Sequence, residues 1–155
     1  MTRTRHHLFR DQRGQELIEF VLVMPLLVLM LAGGVEFGRA FYTYNILTKS
    51  VRNAARYLSD TQISPVGPGV IAASYVTKAQ NLAVFGTVSG TGTRIVPGLL
   101  TNQINVATAQ PRPGQFYVTV TANYPYPPVF GFLLPGITFR PKVTMLFVGV
   151  VVYGT

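Results

Sequence analysis

The chain has no cysteine, and its only histidines are His6 and His7. Acids are almost as scarce. Asp11, Glu16, Glu19, Glu36 and Asp60 are the whole set, and none lies beyond residue 60. Each absence removes a class of chemistry. Without cysteine there is no disulfide, no thiol nucleophile and no thiolate metal site. With no histidine or cysteine after residue 7, the body of the chain has no Ser-His-Asp or Cys-His arrangement. Without acids, residues 61–155 hold no carboxylate pair for acid–base work and no side-chain cage for a metal. The expectation is a protein that is not an enzyme, uses no metal and no cofactor, and is held together by its core alone.

What is present is apolar surface and unevenly placed positive charge. Charged residues make up 12% of the chain and apolar ones 48%. That is too apolar for disorder and too interrupted by glycine and proline for a multi-span membrane protein. A chain of 155 residues is expected to form one domain, with or without an anchor. Residues 61–155 carry Lys78, Arg94, Arg112, Arg140 and Lys142, a charge of +5 with nothing to offset it. This is either a solvated basic face or one drawn to anionic head groups or an acidic partner. The basic residues are spaced singly and form no reader motif, so nucleic acid is not an expected partner.

Residues 1–14 are polar and basic, with Arg3, Arg5, Arg10 and Arg13 against one acid, Asp11. They read as a leader peptide. A secretory signal would end its apolar core at a small-residue cleavage site; here the small residue, Gly14, stands before the apolar run. Residues 20–35 are uncharged, and with Leu17 and Ile18 the stretch approaches the ~20 residues that span a bilayer. The span is placed at residues 15–36. Basic residues flank it on both sides, with Arg39, Lys49, Arg52 and Arg56 following it. The denser leading arginines favour a cytoplasmic N-terminus. Pro25 interrupts the span, which a membrane helix tolerates by kinking or by help from a neighbour. Gly34 and Gly38 have the spacing of a close helix–helix contact, with Glu36 between them.

Residues 37–60 read as an amphipathic continuation of the same helix, extending from 15 to 59. Phe37, Phe41, Tyr44, Thr48, Val51, Ala55 and Leu58 recur at alternating spacings of 4 and 3, a stripe for packing against the following sheet. The turn-rich residues 61–68 end it. Residues 61–155 form the extracytoplasmic α+β domain. A second helix is expected over 70–85, with Val70, Ala73, Val76 (or Thr77), Gln80 and Val84 on one side and Gly86 as its stop. Strands are expected at 103–110, at 115–124 and, in one long run, at 138–153. Residues 111–114 make the hairpin turn and Pro125 breaks the middle strand. In that strand Phe116, Val118, Val120 and Ala122 face one way, and Tyr117, Thr119 and Thr121 the other. The last strand should pair antiparallel with it. The apolar loop 129–137 is either a flap over the core or a contact with lipid or a partner. The fold expected is α+β and pilin-like, a long N-terminal helix packed on a small antiparallel sheet.

The short basic leader ending in Gly14, then Gln15-Glu16-Leu17-Ile18-Glu19-Phe20 and an apolar helix, resembles the class III signal of type IV pilins and pseudopilins. The longer run through residue 60 resembles TadE-like proteins, pseudopilins of the tight-adherence (Flp pilus) machinery. The resemblance covers residues 12–60 in detail and extends loosely to the later hairpins. It implies that a prepilin peptidase cuts between Gly14 and Gln15 on the cytoplasmic side. Glu19 becomes the assembly carboxylate, with Phe20 beside it. The partners implied are that peptidase, other pilin or pseudopilin subunits, the inner-membrane assembly platform and membrane lipid. The protein would be a minor subunit in the cytoplasmic membrane, single-pass, its C-terminal domain outside, and would enter or prime a surface filament. The cysteine pair of many type IV pilins is missing.

Physically, a cut after Gly14 creates a free amino group at Gln15, and a carboxylate at a lipid boundary is costly without a partner. In a bundle of staggered parallel helices a neighbour's amino group would meet Glu19 and select the axial register. Two other readings stay open. One is an unprocessed single-span protein whose outer domain binds lipid or a partner. The other is an adhesive module at a filament tip, using Tyr124, Tyr126 and the apolar loop.

Overall fold

The computed structural model describes residues 12–60, 71–112, 115–131 and 136–148. Residues 1–11, 61–70, 113–114, 132–135 and 149–155 lie outside the described residues, and with them most of the expected leader, the expected turn-rich stretch 61–68, and parts of the expected turn 111–114, loop 129–137 and strand 138–153.

Helix α1 runs Gln12–Asp60 without interruption, Pro25 included. At about 1.5 Å per residue its 49 residues reach about 73 Å. It starts three residues before the expected position, so the Gly14–Gln15 bond lies in its first turn. From Gly14 to Val35 no side chain is buried. The first buried one is Glu36, followed by Ala40, Leu47, Ser50, Val51, Ala54, Ala55, Leu58 and Ser59. The helix is therefore a bare rod over its first half and a core element over its second.

The buried face and the expected stripe coincide at Val51, Ala55 and Leu58. Upstream they part: Phe37, Phe41 and Tyr44 are exposed, while Glu36, Ala40 and Leu47 turn inward. The reason is geometric. A strict 4-3 alternation has a period of 3.5, and a straight α-helix drifts from it by about 20° per heptad. Over the three heptads between Leu58 and Phe37 the drift is enough to hand the inward position to the neighbouring residue.

Helix α2, Ala73–Phe85, lies against α1 through Ala79, Ala83 and Val84. It begins later than expected because Ala72 has an extended ψ of 139°. Ala73 is exposed, and the small Ala79 and Ala83 supply the close face instead. The helix stops at Gly86, as expected. That residue is left-handed (φ 73°) and its N–H bonds the carbonyl of Leu82 at 3.0 Å.

The main sheet has the order β1-β2-β5, antiparallel throughout, with β1 Ile104–Arg112, β2 Gln115–Ala122 and β5 Lys142–Leu146. Strand β2 alternates as its sequence demands: Phe116, Val118, Val120 and Ala122 are buried and the residues between them are half-covered. Its inner face packs on α1, where Leu47, Val51, Ala54 and Leu58 complete the core. On the outer face the hydroxyls of Thr119 and Thr144 meet at 2.9 Å.

The expected single strand over 138–153 is two strands within the described residues. Thr138–Phe139, β4, pairs with Tyr124–Pro125, β3, as a separate two-stranded ribbon. The chain then changes partners at Arg140-Pro141. Pro141 has no N–H to continue a ladder, but its carbonyl accepts from Ala122 at 3.1 Å and hands the chain over to β2. On the other side, Asn123 ends β2 by donating to the carbonyl of Gln103 at 2.8 Å. Pro125 thus lies within a short edge strand, a place where its missing donor costs little.

Candidate functional site

The two carboxylates that flank the apolar half of α1 have opposite environments. Glu19 and Glu36 are 17 positions apart, about 26 Å along the axis at 1.5 Å per residue. Among the described residues, α1 is the one helix long and apolar enough to cross a membrane.

At the first end, Gly14, Gln15, Glu16, Glu19 and Phe20 are all exposed on the bare rod. A side chain at Gly14 would meet nothing within 4 Å. Gln15 and Glu19 are one turn apart, so a charge at Gln15 stands about 6 Å along the axis from the carboxylate. Phe20 lines a shallow apolar groove with Val21, Met24, Pro25, Val28 and Leu29. Further along, Gly34 and Gly38 leave a notch with open space over both positions. Of the residues marked for helix packing, Val51 and Leu58 are fully buried against the domain. Phe37 and Phe41 face outward with their rings stacked at 6.5 Å, and Tyr44 meets Phe139 edge-on at 5.6 Å.

At the second end, Glu36 is 1% exposed and its carboxylate is bound on all sides. Oε1 accepts from the hydroxyl of Tyr126 at 2.7 Å and from Arg39 Nη2 at 3.2 Å. Oε2 accepts from the backbone N–H groups of Val129 and Phe130, at 3.1 and 3.3 Å. Arg39 reaches on to donate to the carbonyl of Pro127, and its guanidinium lies 4.9 Å over the ring of Tyr126. Arg39 Nε is buried with no protein partner. Phe139 then packs against Tyr126 at 5.0 Å. The three consecutive residues Tyr126-Pro127-Pro128 have a reason to be where they are. Two prolines offer no N–H to the carboxylate, so the next two residues supply it.

Burial, and after it the hydrogen bond to Glu36, holds the Tyr126 hydroxyl above the ordinary phenol pKa, with the nearby Arg39 charge opposing. The hydroxyl therefore stays a donor. Tyr124, also raised by burial, donates separately to the carbonyl of Pro97 at 2.8 Å. The clasp ties the segment after β3 to a fixed turn of α1.

In the sequence Glu36 stands out as an acid between Gly34 and Gly38, and that setting alone does not mark this site. A signal was there: the acid that closes the uncharged run of residues 20–35, one turn before Arg39. The partner it required was unidentifiable locally, because Tyr126 lies 90 positions away.

Compared with known protein families, residues 14–56 match the model of the TadE-like protein family. This segment of the chain is TadE-like. The match takes in the exposed Glu19, the whole apolar rod and Glu36 with Arg39, and it stops short of α2 and the sheets. The family pattern thus lies on α1, and the TadE-like segment holds one half of the clasp while Tyr126 and its loop hold the other. Neither the curated proteins nor the solved structures include a significant match to the chain.

Proposed function

We propose that the chain is a minor pseudopilin of a tight-adherence (Flp-type) pilus or secretion system, a structural subunit rather than a catalyst. TadE-like membership of the N-terminal segment implies a part in assembling such a pilus. The prepilin peptidase removes the leader after Gly14. The mature chain starts at Gln15 and is anchored by α1 in the cytoplasmic membrane, its N-terminus inside and its α+β domain outside. From there it joins other pilin or pseudopilin subunits on the inner-membrane platform.

The observation that carries this reading is the contrast between the two carboxylates. Glu36 has its partners within the chain, whereas Glu19 is exposed on a rod with nothing buried around it. Near lipid such a carboxylate is costly without a partner, and a new amino group one turn away on a neighbouring helix supplies one. The cleavage site supports the reading as well. It lies in the first turn of α1, where the leading N–H groups have no intrahelical partner and unwinding into a peptidase costs least.

N-terminal sequencing of the mature protein from cells with an active prepilin peptidase tests it. Gln15 is the expected first residue, and an intact Met1 overturns the proposal in favour of an unprocessed single-span protein. Gly14→Ala should block processing. Glu19→Ala should be cut and inserted normally but fail to co-purify with the other subunits. Normal co-purification of that variant would remove the register role of Glu19.

A further inference from the structure

The clasp brings two distant stretches of exposed apolar surface to one height on α1. Glu36 follows directly on the uncharged residues 20–35, and it holds the backbone of Val129 and Phe130. Val129 is 66% exposed. Within the next two turns of α1, Phe37 is 69% exposed, Phe41 61% and Tyr42 67%. The guanidinium of Arg39, which shares these turns, is drawn inward by Glu36 and Pro127.

We infer that Phe37, Phe41, Tyr42 and Val129 form an interfacial collar, which seats the domain on the lipid head-group layer where α1 leaves the bilayer. This rests on the reading of α1 as a membrane span. The lengths agree. Residues 17–35 rise about 28 Å, close to the ~30 Å of a hydrocarbon core. Residues 36–42 then rise about 9 Å, through the interfacial layer that enriches amphipathic rings. Four large apolar groups gathered at one level would be a costly patch in water. At the interface they are in their preferred medium. The same placement explains the completeness of the clasp. A carboxylate at the edge of hydrocarbon must be fully paired or not be there, and Glu36 receives two side-chain and two backbone donors. The collar would fix how far the domain stands from the membrane.

The chain contains no tryptophan, so a single introduced one reports its own surroundings. The full chain with Val129→Trp, Phe41→Trp, Val28→Trp or Val148→Trp is reconstituted into phosphatidylcholine vesicles. The lipids are brominated either near the head group or near the chain end. Val28 marks the middle of the span. Val148 is a distal control: its N–H bonds the carbonyl of Ser59, 23 positions and about 35 Å beyond Glu36 on α1. Expected are loss of most of the emission at positions 129 and 41 with the shallow quencher and less with the deep one. Position 28 should show the reverse preference, and position 148 no quenching. If 28 is quenched while 129 and 41 behave like 148, the collar is overturned and the span reading stands. If 28 is itself unquenched, the span reading fails and the collar with it. Blue-shifted emission at 129 that no lipid quenches, and that depends on protein density, would mean contact between copies and would also overturn the collar.

Discussion

The hydroxyl of Tyr126 donates a 2.7 Å hydrogen bond to Oε1 of Glu36, a residue 90 positions earlier. This bond joins the turn of α1 at which burial begins to the segment that leaves the short β3–β4 ribbon. Its consequences are measurable.

Removing the phenol oxygen should weaken the domain. A hydrogen bond to a charged acceptor contributes about 1.5–3 kcal/mol, so Tyr126→Phe should lower stability by that order in thermal unfolding of the full chain in detergent. Glu36→Ala should do more harm, because it removes the shared acceptor of the Tyr126 hydroxyl, Arg39 and the N–H groups of Val129 and Phe130. Amide hydrogen exchange gives the specific readout. Exchange at 129 and 130 should rise sharply in Glu36→Ala and modestly in Tyr126→Phe. Unchanged exchange at both amides would show that the clasp does not hold the loop.

The same bond makes an alkaline prediction. Tyr126 has a folded-state pKa above the ordinary phenol value. Its contribution is therefore complete below the unfolded phenol pKa of about 10 and is lost as pH rises through the higher folded value. The stability gap between wild type and Tyr126→Phe should be constant at neutral pH and narrow above pH ~10. Tyr124, shifted the same way by burial, is present in both proteins and cancels in the comparison. A gap that widens with pH would contradict the assignment.

Leu47 and Phe41 separate the buried face of α1 from its apolar stripe. Leu47 is fully buried between α1 and the sheet, and Leu47→Ala should cost about 2–5 kcal/mol. Phe41 is exposed, and Phe41→Ala should change domain stability in detergent by no more than about 0.5 kcal/mol. Comparable losses from the two variants would place the face wrongly.

Gly90 and Gly86 share a φ of +73° but not a neighbourhood. A Cβ at Gly90 would come within 2.7 Å of the Asn81 side chain, whereas at Gly86 it would meet Ile95 at an ordinary 3.5 Å. Gly86→Ala should carry mainly the left-handed backbone penalty, about 1–2 kcal/mol. Gly90→Ala should carry that penalty and also displace Asn81 from the carbonyl of Val88. Thermal unfolding should rank Gly90→Ala below Gly86→Ala.

Much of the fold was readable because its determinants are local. The run of uncharged residues up to Val35, the alternation of β2, the β1–β2 hairpin and the glycine stop of α2 each depend on neighbours a few positions apart. The stripe on α1 was half readable. Its period was taken as 3.5, while an α-helix repeats at about 3.6, so the reading held near Leu58 and slipped by Phe37. The last strand was misread as one because nothing in its Val-rich sequence says that it serves two sheets. That division depends on what Ala122 and Tyr124 already occupy.

By itself, then, the sequence determined a basic stretch up to Gly14, an apolar helix with Glu19 near its start, and a domain with almost no acids. These are matters of composition and spacing, and the family match falls on the same residues. Only the tertiary structure decided which carboxylate is satisfied within the chain. Both glutamates border the same apolar run and look alike in sequence. Glu36 is buried because a loop some ninety residues later brings it a phenol and two backbone N–H groups. Glu19 has no part of the described domain within reach, since the domain begins where the bare half of α1 ends.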